Sequence, residues 1–229
     1  MPARADTQVR QCDSCGLAWL DPAPGAEELA AYYAQEYARA FGAADPNNPK
    51  FVQYKARPAG NRLRYLQSAR AASGARLLEI GCAEGEFLRL AQAAGFDVAG
   101  IEPDAALARR AASVTQSRVT AGVFPEGLGS DQRFDVIAAF HVIEHVRDPA
   151  AFVAACAARL EPGGCLYLAT PDLADARGDV AHPMFRPCHL WYFTQGSLTE
   201  LLTRAGLNDV ATHRTDACGK PELKAMGRR

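Results

Sequence analysis

The sequence predicts a Rossmann-like, doubly wound α/β fold, in which helices cover both faces of a mostly parallel sheet. Strand-like and helix-like segments alternate from about residue 61 onward, which is typical of such sheets. The strand-like segments are short apolar runs, and capping residues or glycines mark several of the helix ends. A glycine-containing turn directly after the first of these strands indicates a ligand site at the carboxyl ends of the strands.

The first half of this pattern gives three strands and three helices. Leu63 and Leu66 lie on one face of the first helix, Gly95 ends the second, and the second strand ends at Glu102. The predicted elements are helix 61–72, strand 76–80, helix 86–94, strand 97–101, helix 104–113 and a weak strand 118–121.

The second half begins with the strongest strand signal. Asp148 and Pro149 supply an N-cap and a proline at the first helical position, while Thr194 caps the last helix and Gly206 ends it. The predicted elements are strand 134–140, helix 149–159, strand 165–170, helix 195–204 and strand 207–212. The intervening loop, 171–193, is long enough to be functional.

The two ends of the chain differ from this core. We expect residues 1–60 to form a partial zinc ribbon and a helical cap, and residues 61–216 to form the ligand-binding domain. Residues 217–229 are polar and punctuated by glycine and proline, so they predict a tail; either the last antiparallel strand of the sheet is missing or the sequence ends before it. A missing strand would leave an exposed sheet edge.

Composition restricts the classes of function. The chain has 229 residues, 48% of them hydrophobic, and a net charge of −1, so no basic excess indicates nucleic-acid binding. We find no signal-peptide pattern and no apolar stretch long enough to span a membrane. Seven cysteines, scattered mostly in apolar segments, favour reduced thiols and a cytoplasmic location over a disulfide framework. The oligomeric state is left open.

The glycine turn lies in the segment LLEIGCAEGEF, residues 77–87. Gly81 can adopt a positive φ and let a ligand approach the main chain, and Gly85 can begin a helix without a side-chain collision. A dinucleotide-binding turn would place glycines where Ala83 and Glu86 stand, and the acidic side chains would repel a pyrophosphate. The turn therefore favours the cationic S-adenosylmethionine over a nicotinamide or flavin dinucleotide.

Four motifs in order and spacing, LLEIGCAEGEFL, IEP, FDVIAAFHVIEHVRDP and LEPGGCLYLATPD, resemble those of class I S-adenosylmethionine-dependent methyltransferases. This resemblance covers roughly residues 61–212. The N-terminal VRQCDSCGLAWLDPAPGAEELAAYY is similar to a subgroup with a zinc-ribbon-like segment before the core, and HLWYFTQGSLTELLTRAGL resembles that subgroup's closing loop and helix.

The resemblance implies roles for the cofactor site. Glu79 lies near the methionine amino group, Gly81 to Gly85 form the cofactor loop, and Glu102 accepts hydrogen bonds from the ribose hydroxyls. Many relatives carry an acid after the third strand to bind adenine; its absence here makes Phe124 a candidate for an apolar contact. The residues assigned to the cofactor are Glu79, Gly81, Cys82, Ala83, Gly85, Glu102, Pro103, Phe124, Phe140 and His141.

Histidines are the candidates for catalysis. A hydroxyl or carbon acceptor must lose a proton, and a histidine titrates in the useful range. His141 and His145 follow the fourth strand four residues apart, and His189 lies on the long loop beside three aromatic residues. The alternatives are structural: Glu144 and His145 would buttress the strand end, and His189 would cap the fold. In some quinone-biosynthesis relatives this turn binds magnesium, but His141 replaces the first acid.

Cys12 and Cys15 form one Cys-x-x-Cys knuckle of a tetrahedral zinc site. A closed site needs four ligands, and no second pair lies nearby in the sequence. Cys188 and His189 are remote along the chain, although not necessarily in space. The knuckle therefore supplies half of a possible zinc site.

The leading hypothesis is an enzyme that transfers a methyl group to an oxygen, nitrogen or carbon atom of a small molecule, such as a quinone precursor, a sugar or a secondary metabolite. The alternative is a catalytically silent relative that binds the cofactor or a partner protein. A nicotinamide oxidoreductase does not fit the glycine spacing. Neither nucleic acid nor a membrane is expected as a partner.

Overall fold

The computed structural model describes residues 8–32, 49–68, 74–179, 181–216 and 221–229, without the side chains of 49–57, 68 and 216. Its centre is a seven-stranded sheet with five parallel strands and an antiparallel pair at one edge. From edge to edge the strands are β5 (Arg118–Ala121), β4 (Asp97–Glu102), β3 (Arg76–Ile80), β6 (Phe134–Phe140), β7 (Leu160–Pro171), β10 (Pro221–Arg228) and β9 (Asn208–Asp216). The predicted doubly wound α/β fold is confirmed.

The described α-helices are α1 (Ala26–Tyr32), α2 (Pro49–Ser68), α3 (Glu86–Ala93), α4 (Ala105–Thr115), α5 (Pro149–Ala158) and α6 (Gln195–Arg204), and α2 to α6 cover the two faces of the sheet. On one face, α5 and α6 pack against a core that includes Ile137 and Leu168. On the other, α2, α3 and α4 pack around Leu77 and Tyr167. None of the helices in the described part of the chain combines the length and apolar composition that a membrane span requires.

Local sequence signals set the helix starts as expected. The Asp104 carboxylate accepts hydrogen bonds from the Ala106 and Leu107 backbone N–H groups at the start of α4. Asp148 accepts one from the Ala151 N–H at the start of α5. Thr194 and Ser197 form a reciprocal capping box on α6.

The prediction of a polar tail after residue 216 was wrong. Residues 221–228 form β10, which pairs antiparallel with β7 on one side and with β9 on the other. Leu223 and Ala225 enter the core, while Glu222 and Lys224 alternate with them and are also buried, each 3% exposed. Because the alternate positions are charged, the segment looked like a solvated tail. The strand also covers the edge of β7 that we expected to be exposed.

The N-terminal region is joined to the long loop. A second, three-stranded sheet contains β1 (Gln8–Gln11), β2 (Ala18–Asp21) and β8 (Trp191–Tyr192). Its β8 belongs to the loop 171–193, which also contains a short 3-10 helix, Leu173–Ala176. Helix α2 begins before the predicted start at residue 61, so the expected boundary after residue 60 lies inside a helix. The domain division itself stays a prediction.

Candidate functional site

The site lies at the edge of the sheet where β3, β4, β6 and β7 end. Strand order reverses between β3 and β6, since β4 and β5 follow on one side and β7 on the other. Such a switch point opens a crevice outside the carboxyl ends of the strands. Strand β10 runs in the opposite direction and begins at this edge, with Glu222 opposite Pro171 of β7.

The glycine turn after β3 adopts the conformation that its sequence requires. Gly81 and Gly85 have φ values of 71° and 81°, in the left-handed region. A Cβ on Gly81 would lie 2.7 Å from Val142 Cγ2, and a Cβ on Gly85 would lie 3.0 Å from the Ala111 Cβ. Ala83 also has a positive φ, 46°, and its N–H points at Glu102, which gives the turn a fixed shape.

Glu79 is a buried carboxylate with an open acceptor. Its residue is 5% exposed, and Oε2 meets no hydrogen-bond partner within the described residues. Burial raises the pKa of Glu79 well above its usual value; the Arg62 charge opposes this rise and the Glu102 charge adds to it. A cation beside Oε2 would offset the cost of burying this charge.

Glu102 is held by the backbone on both of its oxygens. Oε2 accepts a hydrogen bond from the Ala83 N–H at 2.9 Å, and Oε1 accepts one from the Asp104 N–H at 3.1 Å. Burial nevertheless raises the pKa of Glu102. Each oxygen keeps further acceptor capacity, so this fixed carboxylate can bind two adjacent hydroxyl groups.

Two predicted cofactor residues lie deeper than expected. Phe124 is buried and its ring packs edge-on against Phe152, with centroids 5.8 Å apart, so it belongs to the core. Its neighbour Val123 is 60% exposed and is the apolar side chain that a ligand can reach. Cys82 is also buried, which raises the pKa of its thiol and keeps it protonated. The predicted contact of Phe124 with adenine stays a prediction, and Val123 is the more exposed apolar side chain beside it.

A second polar group centres on His141, directly after β6. His141 has a φ of 55°, and the neighbouring Phe140 ring lies 4.5 Å below the Arg62 guanidinium. His141 Nδ1 lies 3.2 Å from Glu144 Oε1, and Nε2 lies 3.2 Å from Glu222 Oε2. Glu222 Oε2 also accepts a hydrogen bond from Arg62 Nη2 at 3.0 Å.

In this group, positively charged side chains lie beside both glutamates. Burial alone would raise the pKa values of Glu144 and Glu222, yet both are lowered to about 2. His141 lowers both through its hydrogen bonds and its charge, and Arg62 also lowers that of Glu222. Desolvation opposes the charged ring, but the two glutamates outweigh it and raise the pKa of His141. Both ring nitrogens of His141 thus face carboxylates, which favours a positioning role for this side chain. Its predicted role in catalysis stays a prediction.

His145 and His189 lie together and use different partners from His141. Their rings meet edge to face with centroids 4.8 Å apart. His145 Nδ1 lies 2.8 Å from the Cys188 carbonyl oxygen. Burial lowers the pKa of His189 to about 4, so its ring is neutral. The expectation that one turn presents His141 and His145 together stays a prediction; the charge of Glu144 acts on both rings.

Cys12 and Cys15 lie on the turn between β1 and β2. Their side chains are hydrogen-bonded to each other, and backbone N–H groups of Cys15 and Ser14, in that order, lower the pKa of Cys12. In the part of the chain that the structure describes, no third ligand joins these two cysteines in a metal-binding group. Zinc binding by this pair stays a prediction.

The sequence analysis missed four residues of the site. Arg62 comes from α2, Thr170 from the end of β7, and Glu222 and Lys224 from β10. Thr170 Oγ1 donates to Glu144 Oε2 at 3.1 Å, and Lys224 Nζ lies 3.6 Å from Glu222 Oε1. The period-two alternation of charged and apolar residues in ELKA was the signal that could have identified β10 and its inward-facing acid.

A groove at the opposite edge of the sheet carries none of these groups. Its volume is about 290 Å³, and the first residues of β3, β4, β5 and β6 line it. The strands begin there rather than end, so it lies on the side that α/β sheets do not use for ligands.

Comparisons with known proteins agree with this geometry. A family model described as a methyltransferase domain matches residues 26–212. Ubiquinone biosynthesis O-methyltransferase from Rhodopseudomonas palustris strain BisB18 is 36% identical over 111 residues, which are 47% of this chain and 44% of that protein. A probable S-adenosylmethionine-dependent methyltransferase from Mycolicibacterium smegmatis is 33% identical over 143 residues, 62% of this chain and 55% of that protein. The matches thus span about half the length of these curated relatives.

The fold has counterparts among solved structures. Magnesium protoporphyrin IX methyltransferase from Synechocystis PCC 6803, solved with bound S-adenosylhomocysteine, superposes with a TM-score of 0.65 at 15% identity. The superposition covers 88% of this chain and 98% of that one. At this identity the likeness concerns the fold.

Proposed function

Because the chain belongs to the methyltransferase-domain family, whose model spans residues 26–212, we propose that it transfers a methyl group from S-adenosylmethionine to a small-molecule acceptor. The acceptor atom is oxygen, nitrogen or carbon. An oxygen of a phenolic quinone precursor is favoured, since the relative from Rhodopseudomonas palustris bears the name ubiquinone biosynthesis O-methyltransferase.

One observation carries this proposal: a buried acceptor atom of Glu79 and a buried donor atom of Arg62 both lack a hydrogen-bond partner among the described residues. Within the described ranges, Glu79 Oε2 and Arg62 Nε are buried and make no hydrogen bond. Arg62 is close enough for its charge to act on the pKa of Glu79. An ammonium group suits the first atom and a carboxylate the second, so the pair fits the amino-acid end of the cofactor.

The other end of the cofactor fits the neighbouring strand ends. Glu102 would accept hydrogen bonds from both ribose hydroxyls, because each of its oxygens is already fixed by one backbone N–H. Val123 and Pro103 would pack against the adenine, since both are exposed after neighbouring strands. The backbone of Gly81, Cys82, Ala83 and Gly85 would line the cofactor between these two ends.

The bound cofactor supplies an electrophilic methyl group on a sulfonium, and the chain supplies alignment. Methyl transfer is an in-line displacement, so positioning the acceptor and excluding water provide most of the rate enhancement. The strained His141 and its two glutamates fix the loop after β6, where the acceptor would approach. His141 is thereby a positioning residue, while His145 and His189 remain candidates for contact with the acceptor.

Calorimetric titration with S-adenosylmethionine, S-adenosylhomocysteine and a nicotinamide dinucleotide tests the cofactor assignment. We expect binding of the first two and none of the third; the absence of binding by the first two would contradict the proposal. A turnover assay with phenolic and catecholic acceptors then separates an enzyme from a silent relative. Cofactor binding without product over the acceptor panel would favour the alternative of a cofactor-binding protein.

Two finer assignments belong to the same proposal. The β1–β2 hairpin, with Cys12 and Cys15 at its turn, resembles half of a zinc ribbon, and we retain this as a hypothesis for the N-terminal segment. We also propose a cytoplasmic location, since the six cysteines within the described residues are free thiols.

A further inference from the structure

A third cluster of functional side chains extends the pair of His145 and His189 described above. It consists of His145, on the turn after β6, and of Cys188 and His189, on the loop before β8. One ligand atom from each residue lies within 4.8 Å of the others. Cys188 is 5% exposed and both histidines are half-buried, so solvent reaches only part of the cluster.

The hydrogen bonds of both rings resemble those of metal-binding histidines. His145 Nδ1 lies 2.8 Å from the Cys188 carbonyl oxygen, and a carbonyl can only accept, so Nδ1 is the donor of this hydrogen bond. His189 is hydrogen-bonded to the Met184 backbone, whereas its Nδ1 is buried and makes no hydrogen bond to any described residue. Metal-binding histidines show this arrangement, in which one nitrogen donates to a carbonyl and the other faces the ion.

The Cys188 sulfur is buried and is hydrogen-bonded to the Tyr32 side chain, so it has a fixed position beside the two rings. The nearby buried carboxylate of Glu144 adds negative charge that a metal ion would offset. One thiolate and two imidazoles form a soft to borderline ligand set, which selects zinc over magnesium or calcium.

We propose that His145, Cys188 and His189 form a Zn²⁺ site, with a fourth position for an exchangeable ligand. Zinc bonds of about 2.0–2.3 Å place tetrahedral ligands roughly 3.3–3.6 Å apart, so the side chains need to close by about 1 Å. The ion would join the turn after β6 to the long loop and, through Tyr32, to α1. This site differs from the Cys12–Cys15 knuckle and shares no residue with it.

Metal analysis of the full chain, purified without chelators and with any affinity tag removed, tests the proposal. We expect close to one zinc per chain in the wild type. Cys188→Ser and His189→Gln should lower zinc affinity at least about tenfold, because changes even to outer partners of metal ligands cost about 10–100-fold. The matched control, Cys12→Ser combined with Cys15→Ser, should retain the zinc. Circular dichroism and thermal melting establish that each variant is folded.

A titration of metal-free protein with Co²⁺, carried out on the wild type and on the Cys12/Cys15 variant, tests the thiolate ligand directly. A thiolate-to-cobalt charge-transfer band at one equivalent, competed away by zinc, is the expected result. Zinc lost from the Cys12/Cys15 variant but kept by Cys188→Ser would overturn the assignment. So would a wild-type protein that shows neither zinc nor the cobalt band after reconstitution.

Discussion

The site has two halves, one at the ends of β3 and β4 and one around His141, and their buried acidic groups have pKa shifts of opposite sign. Glu79 and Glu102, at the ends of β3 and β4, are 5% and 8% exposed, and Glu144 and Glu222, beside β6 and β7, are 1% and 3% exposed. The pKa values of the first pair are raised, whereas those of the second pair are lowered to about 2. Two pairs of similarly buried carboxyl groups therefore have pKa values shifted in opposite directions.

The difference lies in where the compensating positive charge comes from. His141 contacts both acids of the second pair, and Arg62 contacts Glu222. The first pair receives mainly backbone N–H groups, and the Oε2 atom of Glu79 remains open among the described residues. In the second half the protein supplies the positive charge: Glu222 Oε1 also makes no hydrogen bond to a described residue, but Lys224 Nζ lies 3.6 Å from it. In the first half, we assign this charge to a cationic ligand.

The largest expected effect is a loss of stability when an ion pair of the second half, around His141, is removed. Glu222→Gln removes a buried charge that pairs with both Arg62 and His141. We expect a loss of about 3 kcal/mol in the free energy of unfolding, because removing one partner leaves buried charges uncompensated. Urea denaturation at neutral pH measures it. The control is Glu200→Gln, which breaks an exposed pair with Arg204 and should change stability by less than about 1 kcal/mol.

The pH dependence of that loss has a definite sign. The folded pKa of Glu222, about 2, lies below the ordinary value of 4.5, so its contribution is complete above pH 4.5 and disappears as the pH falls toward 2. The wild type and Glu222→Gln should therefore converge in stability over this acidic range. A constant difference across it would mean that the carboxylate charge is not what stabilises the second half.

The next largest effect should appear in the ligand-dependent half. Glu102→Ala removes the acceptor that we assign to the ribose hydroxyls, and we expect cofactor affinity to fall tenfold or more, about 1.4 kcal/mol. Calorimetry with S-adenosylmethionine measures the change. Glu84→Ala, which alters an acid of the same loop outside the assigned contacts, is the matched control. Unchanged affinity in Glu102→Ala would remove the ribose assignment.

The same contrast explains what the sequence could reveal. Glu79, Gly81, Gly85 and Glu102 belong to short contiguous motifs, since one strand, one turn and the next strand place them, so a linear pattern was sufficient. The order of strands and helices from residue 76 to residue 212 followed from periodicity and caps for the same reason. These are properties of neighbouring residues along the chain.

The second half depends on contacts between distant segments. His141 and Glu222 are separated by 81 residues, and Arg62 and Glu222 by 160. Strand β10 was mistaken for a tail because Glu222 and Lys224 are charged, and their burial is tolerated only once Arg62 and His141 are in place. Phe124 was assigned to the ligand because its sequence position does not reveal that its ring faces Phe152.

A smaller and more diagnostic effect is expected at Glu79. Glu79→Gln should stabilise the cofactor-free protein by about 1 kcal/mol, because it removes a buried charge with an incompletely satisfied oxygen. It should also weaken cofactor binding about fivefold, because the amide oxygen still accepts a hydrogen bond from an ammonium but carries no negative charge to attract it. Thermal melting and calorimetry measure the two changes. Loss of both stability and affinity would show that Glu79 is structurally satisfied and that the two halves do not differ as described.

The smallest effect is a proton released on binding. The raised pKa of Glu79 means that the cofactor-free protein keeps a proton on part of its population at mildly acidic pH, and an ammonium ligand requires the ionised form. Cofactor affinity should therefore fall as the pH drops through this raised value. Below it, binding should release a fraction of a proton, which calorimetry detects as heats that differ between buffers with different ionisation enthalpies. Glu79→Gln should reduce the dependence on buffer, whereas Glu222→Gln should leave it unchanged, because we expect only Glu79 and Glu102 to exchange protons when the ligand binds.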